Sequence, residues 1–205
     1  MHNSLKKHNG CCNNLKDILH NPNFIYLVLS FCLVHGLFSA YTGKVFDIVS
    51  KYGLNSINNI KIWANIGGIF SSILIAYLID KIKKVKCALI SLIVVSLIYF
   101  TVITILISAS LKGLEIDTIV FSCLYIIYYM SLSPIYCLCY YLVYEITYPG
   151  YSSTSIALMI GSSMLSSIGI SYVFDLVENG FIVHFISIGI ILIALVLILL
   201  MNGNH

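Results

Sequence analysis

The sequence predicts an all-α membrane protein with six transmembrane helices, and three observations predict it. Of its 205 residues, 60% are hydrophobic and 9% charged, with a mean hydropathy of +0.98; a soluble domain carries about 25% charged residues. The apolar residues gather into six runs, each long enough to cross a bilayer, for which about 20 residues suffice. These runs are continuous rather than alternating, which excludes a membrane β-barrel and leaves the helix as the way to satisfy the backbone in lipid.

Residues 1–22, MHNSLKKHNGCCNNLKDILHNP, form a polar arm without an apolar core, so they do not read as a cleavable signal peptide. Cys11 and Cys12 in this arm are adjacent, a candidate pair for palmitoylation. The transmembrane bundle is expected over 23–201. Its spans run from Phe24 to Thr42, Ile60 to Ile79, Ala88 to Ser108, Thr118 to Pro149, Ser155 to Phe174 and Phe181 to Met201, before a short tail at 202–205.

The spans differ in character. The second carries Gly67, Gly68, Ser71 and Ser72, overlapping small-xxx-small pairs that permit close helix approach, and Trp63 and Tyr77 near its ends suit interfacial anchoring. The fifth has a comparable small-residue face in Gly161, Ser162, Ser163, Ser166, Ser167 and Gly169. The sixth, with ILIALVLILL at its core, is expected at the bundle edge against lipid.

The fourth span, TIVFSCLYIIYYMSLSPIYCLCYYLVYEITYP, is the most informative. At the helical period Tyr125, Tyr129, Tyr136, Tyr140 and Tyr144 project onto one face roughly 100° wide. A lipid-facing helix has no use for a stripe of phenol hydroxyls, whereas a helix lining a polar pocket has. Pro134 lies near the middle of the span and is expected to kink it.

Lysine placement sets the orientation. An even number of crossings puts both termini on one side, with Lys6, Lys7, Lys16, Lys81, Lys83, Lys84 and Lys86; Lys44, Lys51, Lys61 and Lys112 fall on the other. The excess favours cytoplasmic termini. A net charge of +3, from eleven lysines and no arginine, gives no reason to expect a nucleic-acid partner. The histidines are scattered, with His35 and His184 in separate spans, and no metal-ligand spacing, phosphate loop or paired catalytic group is found. Neither an enzyme nor a cofactor is expected.

The connection YLIDKIKKVK places Asp80 directly before a lysine cluster, on the same side as Glu145. These groups suit a conformational latch in which Glu145 pairs with Lys81 or Lys84 in one state only. Exposed ion pairs contribute at most about 1 kcal/mol each, enough to bias a near-balanced equilibrium without locking it.

An acidic residue followed by basic ones after the second span resembles the signature loop of the major facilitator superfamily. YEITYPG, from Tyr144 to Gly150, is more specific: it resembles a motif in the C-terminal half of transporters related to the feline leukaemia virus subgroup C receptor. HGLFSAYTG, from His35 to Gly43, extends the likeness. The resemblance implies one six-helix half of a major facilitator fold, moving choline, ethanolamine or haem by alternating access. It also implies an aromatic cage for the cation, for which Tyr41, Tyr129, Tyr136 and Tyr140 are the candidates. Strict alignment puts Ser39 at the family's pocket aromatic, with Tyr41 just beyond, and Met164 where relatives have a pocket glutamine.

Half of such a pocket cannot enclose a substrate. Its completion would come from a missing N-terminal half or from a second copy. The expected function is therefore a solute transporter in a lipid bilayer, acting on a small-molecule substrate. The alternative is a non-transporting six-helix subunit or receptor that assembles with a partner.

Overall fold

The computed structural model describes residues 18–50, 58–110, 118–148, 152–177 and 179–201. Most of the polar arm with Cys11 and Cys12, together with Lys51, Lys112, the Pro149–Gly150 end of the TYPG motif and the 202–205 tail, lies outside the described residues. The helices are α1 (Pro22–Ser50), α2 (Asn58–Ile82), α3 (Val85–Ser110), α4 (Thr118–Thr147), α5 (Ser152–Leu176) and α6 (Gly180–Leu200). All six are long and apolar enough to cross a membrane, and no strand occurs among the described residues. The protein is an all-α, multi-pass integral membrane protein.

Local chemistry sets the ends. At the start of α1, Asn21 Oδ1 accepts a hydrogen bond of 3.0 Å from the Asn23 N–H. Pro22 stands first in the helix, where its missing N–H is no loss. Asn179 caps α6 in the same way through the Phe181 N–H. The second helix stops at Lys83, whose φ of 54° lies in the left-handed region usually given to glycine. Its N–H bonds to the Ile79 carbonyl at 2.8 Å, closing the last turn.

The packing pairs the first three helices with the last three. Helix α1 packs against α5 and α6, α4 packs against α2 and α3, and the two sets meet through α3–α6, α4–α5 and α1–α4. Small residues make the tightest seams. A Cβ on Gly36 would stand 2.7 Å from Ser166 Oγ and 3.1 Å from the Ser166 carbonyl carbon, so α1 and α5 touch nearly backbone to backbone. One turn earlier, the Cys32 thiol meets the Ser162 hydroxyl at 3.2 Å. Across the α2–α4 seam, a Cβ on Gly68 would lie 3.1 Å from Ser133 Cβ, and the Ser72 and Ser133 hydroxyls bond at 2.9 Å. The small-residue face read on the second span is the α2–α4 seam; of the face read on the fifth, Ser162 and Ser166 enter the α1–α5 seam, whereas Gly161 and Gly169 are exposed with nothing against them.

The aliphatic α6 is not the outlying helix. It buries Val183, His184, Ser187, Ile191, Ala194 and Ile198 along one stripe, in a helix that packs on α1 and α3. Its aliphatic outer positions concealed that stripe, because Ser187 and His184 are its only polar departures. Helices α2 and α5 keep the most surface outward, including Trp63, Phe70 and Tyr77 on α2 and Leu165, Ile168 and Tyr172 on α5. At the two ends of the bundle, Lys44 on α1 pairs with Asp175 on α5, and Lys86 Nζ donates to the Met201 carbonyl beyond α6.

Candidate functional site

The tyrosine stripe of α4 changes environment along its length. Tyr125 and Tyr129 are buried, Tyr136 and Tyr140 half-buried, and Tyr144 and Tyr148 exposed at the helix end. Its centre meets α1. Tyr136 lies 5.2 Å from the His35 ring and 5.8 and 5.9 Å from Phe31 and Phe38. Tyr140 packs on Phe31 at 5.7 Å, and Tyr129 on Phe38 at 4.9 Å. Edge-to-face contacts of this kind add about 0.5–1.5 kcal/mol each beyond burial. The result is an open cluster near the middle of α1 and α4, with the His35, Phe38, Tyr136 and Tyr140 side chains only half-covered. Two of its polar atoms, His35 Nδ1 and Tyr136 Oη, are themselves buried without a hydrogen-bond partner.

Tyr41 belongs to a different group. It lies about 60–120° round α1 from Phe31, His35 and Phe38 at the helical period, and it is fully buried. Its hydroxyl stands 3.1 Å from His184 Nε2 and 3.3 Å from the Tyr99 hydroxyl. His184 Nδ1 lies 2.6 Å from the Gly180 carbonyl. A carbonyl only accepts, so Nδ1 carries the proton and Nε2 of the neutral ring accepts from Tyr41. The Tyr41 oxygen then accepts from Tyr99. Phe100 packs on Tyr41 at 4.9 Å, and Tyr128 stacks on Tyr99 at 4.3 Å. This closed cluster ties α1, α3, α4 and α6 together. Thus Tyr129, Tyr136 and Tyr140 come together, whereas Tyr41 faces away from them.

The remaining candidates are dispersed. Met164 is exposed on α5. Pro134 is buried, and α4 runs through it without a break in helix assignment. Its ring removes the amide that would have bonded to the Met130 carbonyl four residues earlier.

At one end of the bundle Asp80 and Glu145, with Ile79, Lys83, Val85 and Tyr141, line one cleft of about 270 Å³. The lysine in this cleft is Lys83 rather than Lys81 or Lys84. Lys81 instead extends its ammonium over the Tyr77 ring, 4.6 Å from the centroid. The left-handed turn at Lys83 determines which lysine reaches the cleft, and no sequence signal marks that turn because glycine is absent from it. Five further residues of the aromatic groups were not singled out from sequence: Phe31, Phe38, Tyr99, Phe100 and Tyr128. Spacing alone does not distinguish an apolar ring at a site from one in a core.

Among the described residues no three His, Cys, Asp or Glu side chains gather as a metal-binding group. No family model matches this chain, and no curated protein matches it either.

Proposed function

We propose that the protein is a membrane solute carrier whose site is the open aromatic cluster on α1 and α4, and that its substrate is a small organic cation such as choline or ethanolamine. The observation that carries this reading is the meeting of His35, Phe38, Tyr136 and Tyr140 midway along two long helices, half-covered and with polar atoms unpaired. Aromatic faces attract a quaternary ammonium by up to about 2 kcal/mol when desolvated. Haem fits this site less well, because a single small patch of rings offers no broad slot.

The pairing of three helices with three supports the resemblance to one half of a major facilitator fold. Inverted three-helix repeats within each six-helix half are a feature of that architecture, whose substrates bind near the midplane. On this reading the cluster is one wall of a pocket, and six further helices complete it. These come from an N-terminal half or from a second copy, and the two six-helix bundles rock against each other in alternating access. Both termini are placed on the cytoplasmic side. Asp80, Lys83 and Glu145 would then form the cytoplasmic latch.

Proteoliposome uptake of radiolabelled choline and ethanolamine tests the proposal. Uptake is expected for the wild type, and Glu145→Gln is expected to lower the maximal rate severalfold while leaving the half-saturating concentration nearly unchanged. Absence of uptake, together with co-purification of a stoichiometric protein partner, would replace the carrier with a non-transporting subunit. Normal uptake by Glu145→Gln would remove the latch alone.

A further inference from the structure

We infer that His35 and Tyr136 are a specificity pair that binds a hydroxyl group of the ligand, so that the site selects alcohol-bearing organic cations over those lacking the alcohol. This rests on the carrier reading of the open cluster and deepens it.

The two groups stand on facing helices with ring centroids 5.2 Å apart and planes at 65°. His35 Nδ1 and Tyr136 Oη are both buried, and neither has a hydrogen-bond partner. A buried polar atom left unpaired costs about 1–3 kcal/mol, and native proteins hold few of them. Two in adjoining rings form a local deficit. In the closed cluster Tyr41, Tyr99 and His184 have joined in a bonded chain, and the Tyr128 hydroxyl left unpaired beside them belongs to a fully buried side chain, whereas the His35 and Tyr136 side chains are half-covered.

The chemistry of the missing partner follows from the groups that surround it. Tyr136 offers an O–H, and a neutral imidazole nitrogen can accept one. A hydroxyl satisfies both at once, accepting from the phenol and donating to His35 Nδ1. A carboxylate would suit the pair only with Nδ1 protonated. The rings of Phe31, Phe38 and Tyr140 disfavour that ligand, because the negative faces of aromatic rings repel anions and attract ammonium groups. The ligand that fits carries an ammonium head over the rings and an alcohol between His35 and Tyr136.

The test uses the full chain in lipid nanodiscs and two probes, choline and tetramethylammonium, which differ by the alcohol arm. Binding of each is measured to the wild type, to Tyr136→Phe and to Tyr140→Phe. The wild type is expected to bind choline about tenfold more tightly. Tyr136→Phe is expected to bring the two affinities within about twofold of each other, with tetramethylammonium binding unchanged and the melting temperature not lowered. Tyr140→Phe, which removes a phenol from the same patch, is expected to retain the preference. Equal wild-type affinities, or a preference that survives in Tyr136→Phe, would overturn the pair while leaving the carrier reading in place. So would an equal loss of both probes in Tyr136→Phe. Failure of the wild type to bind either probe would overturn both.

Discussion

The two aromatic clusters are built from the same residue types and differ in what their polar atoms do. In the closed cluster, Tyr99, Tyr41, His184 and the Gly180 carbonyl form one continuous hydrogen-bonded chain, sealed by Phe100 and Tyr128, of which the Tyr128 hydroxyl alone is left without a partner. In the open cluster, His35 and Tyr136 meet ring to ring, yet His35 Nδ1 and Tyr136 Oη lack partners. The first arrangement is what a membrane bundle needs in order to hold polar groups in its interior. The second is stable only if its neighbours fix it, and it leaves hydrogen-bonding capacity for something else. Tyrosine in a spanning helix is thus not in itself a sign of a pocket; an unpaired hydroxyl on a half-covered face is a better one.

Both clusters share α1, and the largest effect is expected where that helix is anchored. Gly36 sits between His35 and Leu37 with Ser166 pressed against it, its backbone included. Gly36→Ala must push α1 away from α5, since the clash at the Ser166 carbonyl carbon cannot be relieved by a rotamer change. A loss of about 2 kcal/mol is expected, within the range for overpacking a tight interface. The control is Gly169→Ala, where a Cβ would meet nothing within 4 Å. That change is expected to be neutral or to stabilise by up to about 1 kcal/mol through helix propensity. Unfolding in mixed micelles compares the two; equal effects would mean that the seam does not position the clusters.

A smaller loss is expected at the closed cluster. Tyr41→Phe keeps the ring contacts but removes the hydroxyl that links Tyr99 to His184, leaving two buried groups without a partner. Interhelical hydrogen bonds in membrane proteins average about 0.6 kcal/mol, so two of them give a loss of about 1 kcal/mol. The same unfolding measurement reads it. No change in stability would mean that the chain can find other partners and that the closed cluster is held by its rings alone.

The contrast between the clusters was only partly legible in the sequence. The six spans were plain, because lipid demands long apolar runs and little else produces them. The Tyr129, Tyr136 and Tyr140 face was legible too, since a 3.6-residue period orders side chains within one helix. What meets that face was not. Tyr41 and His184 lie 143 residues apart, and no local rule connects them. Tyr41 stands only three residues from Phe38, yet it turns to another neighbour, which the family likeness that grouped it with the α4 tyrosines did not reveal. The latch shows the same limit at a turn. The charges around Asp80 were visible, but the left-handed residue at Lys83 decided which lysine entered the cleft.

The smallest expected effect on stability is also the one that separates the clusters most sharply. Tyr136→Phe removes a hydroxyl that bonds to nothing in the protein, while its ring contacts with Phe31, His35 and Phe38 remain. Removing an unsatisfied buried group relieves a desolvation cost rather than forfeiting a bond. The variant is therefore expected to be as stable as the wild type, or more stable by up to about 1 kcal/mol. The opposite sign is expected for Tyr41→Phe, the same chemical change on the same pair of residue types. If Tyr136→Phe instead loses as much stability as Tyr41→Phe, its hydroxyl has a structural partner after all. The open cluster would then be a second piece of core, and the case for a binding site there would fall with it.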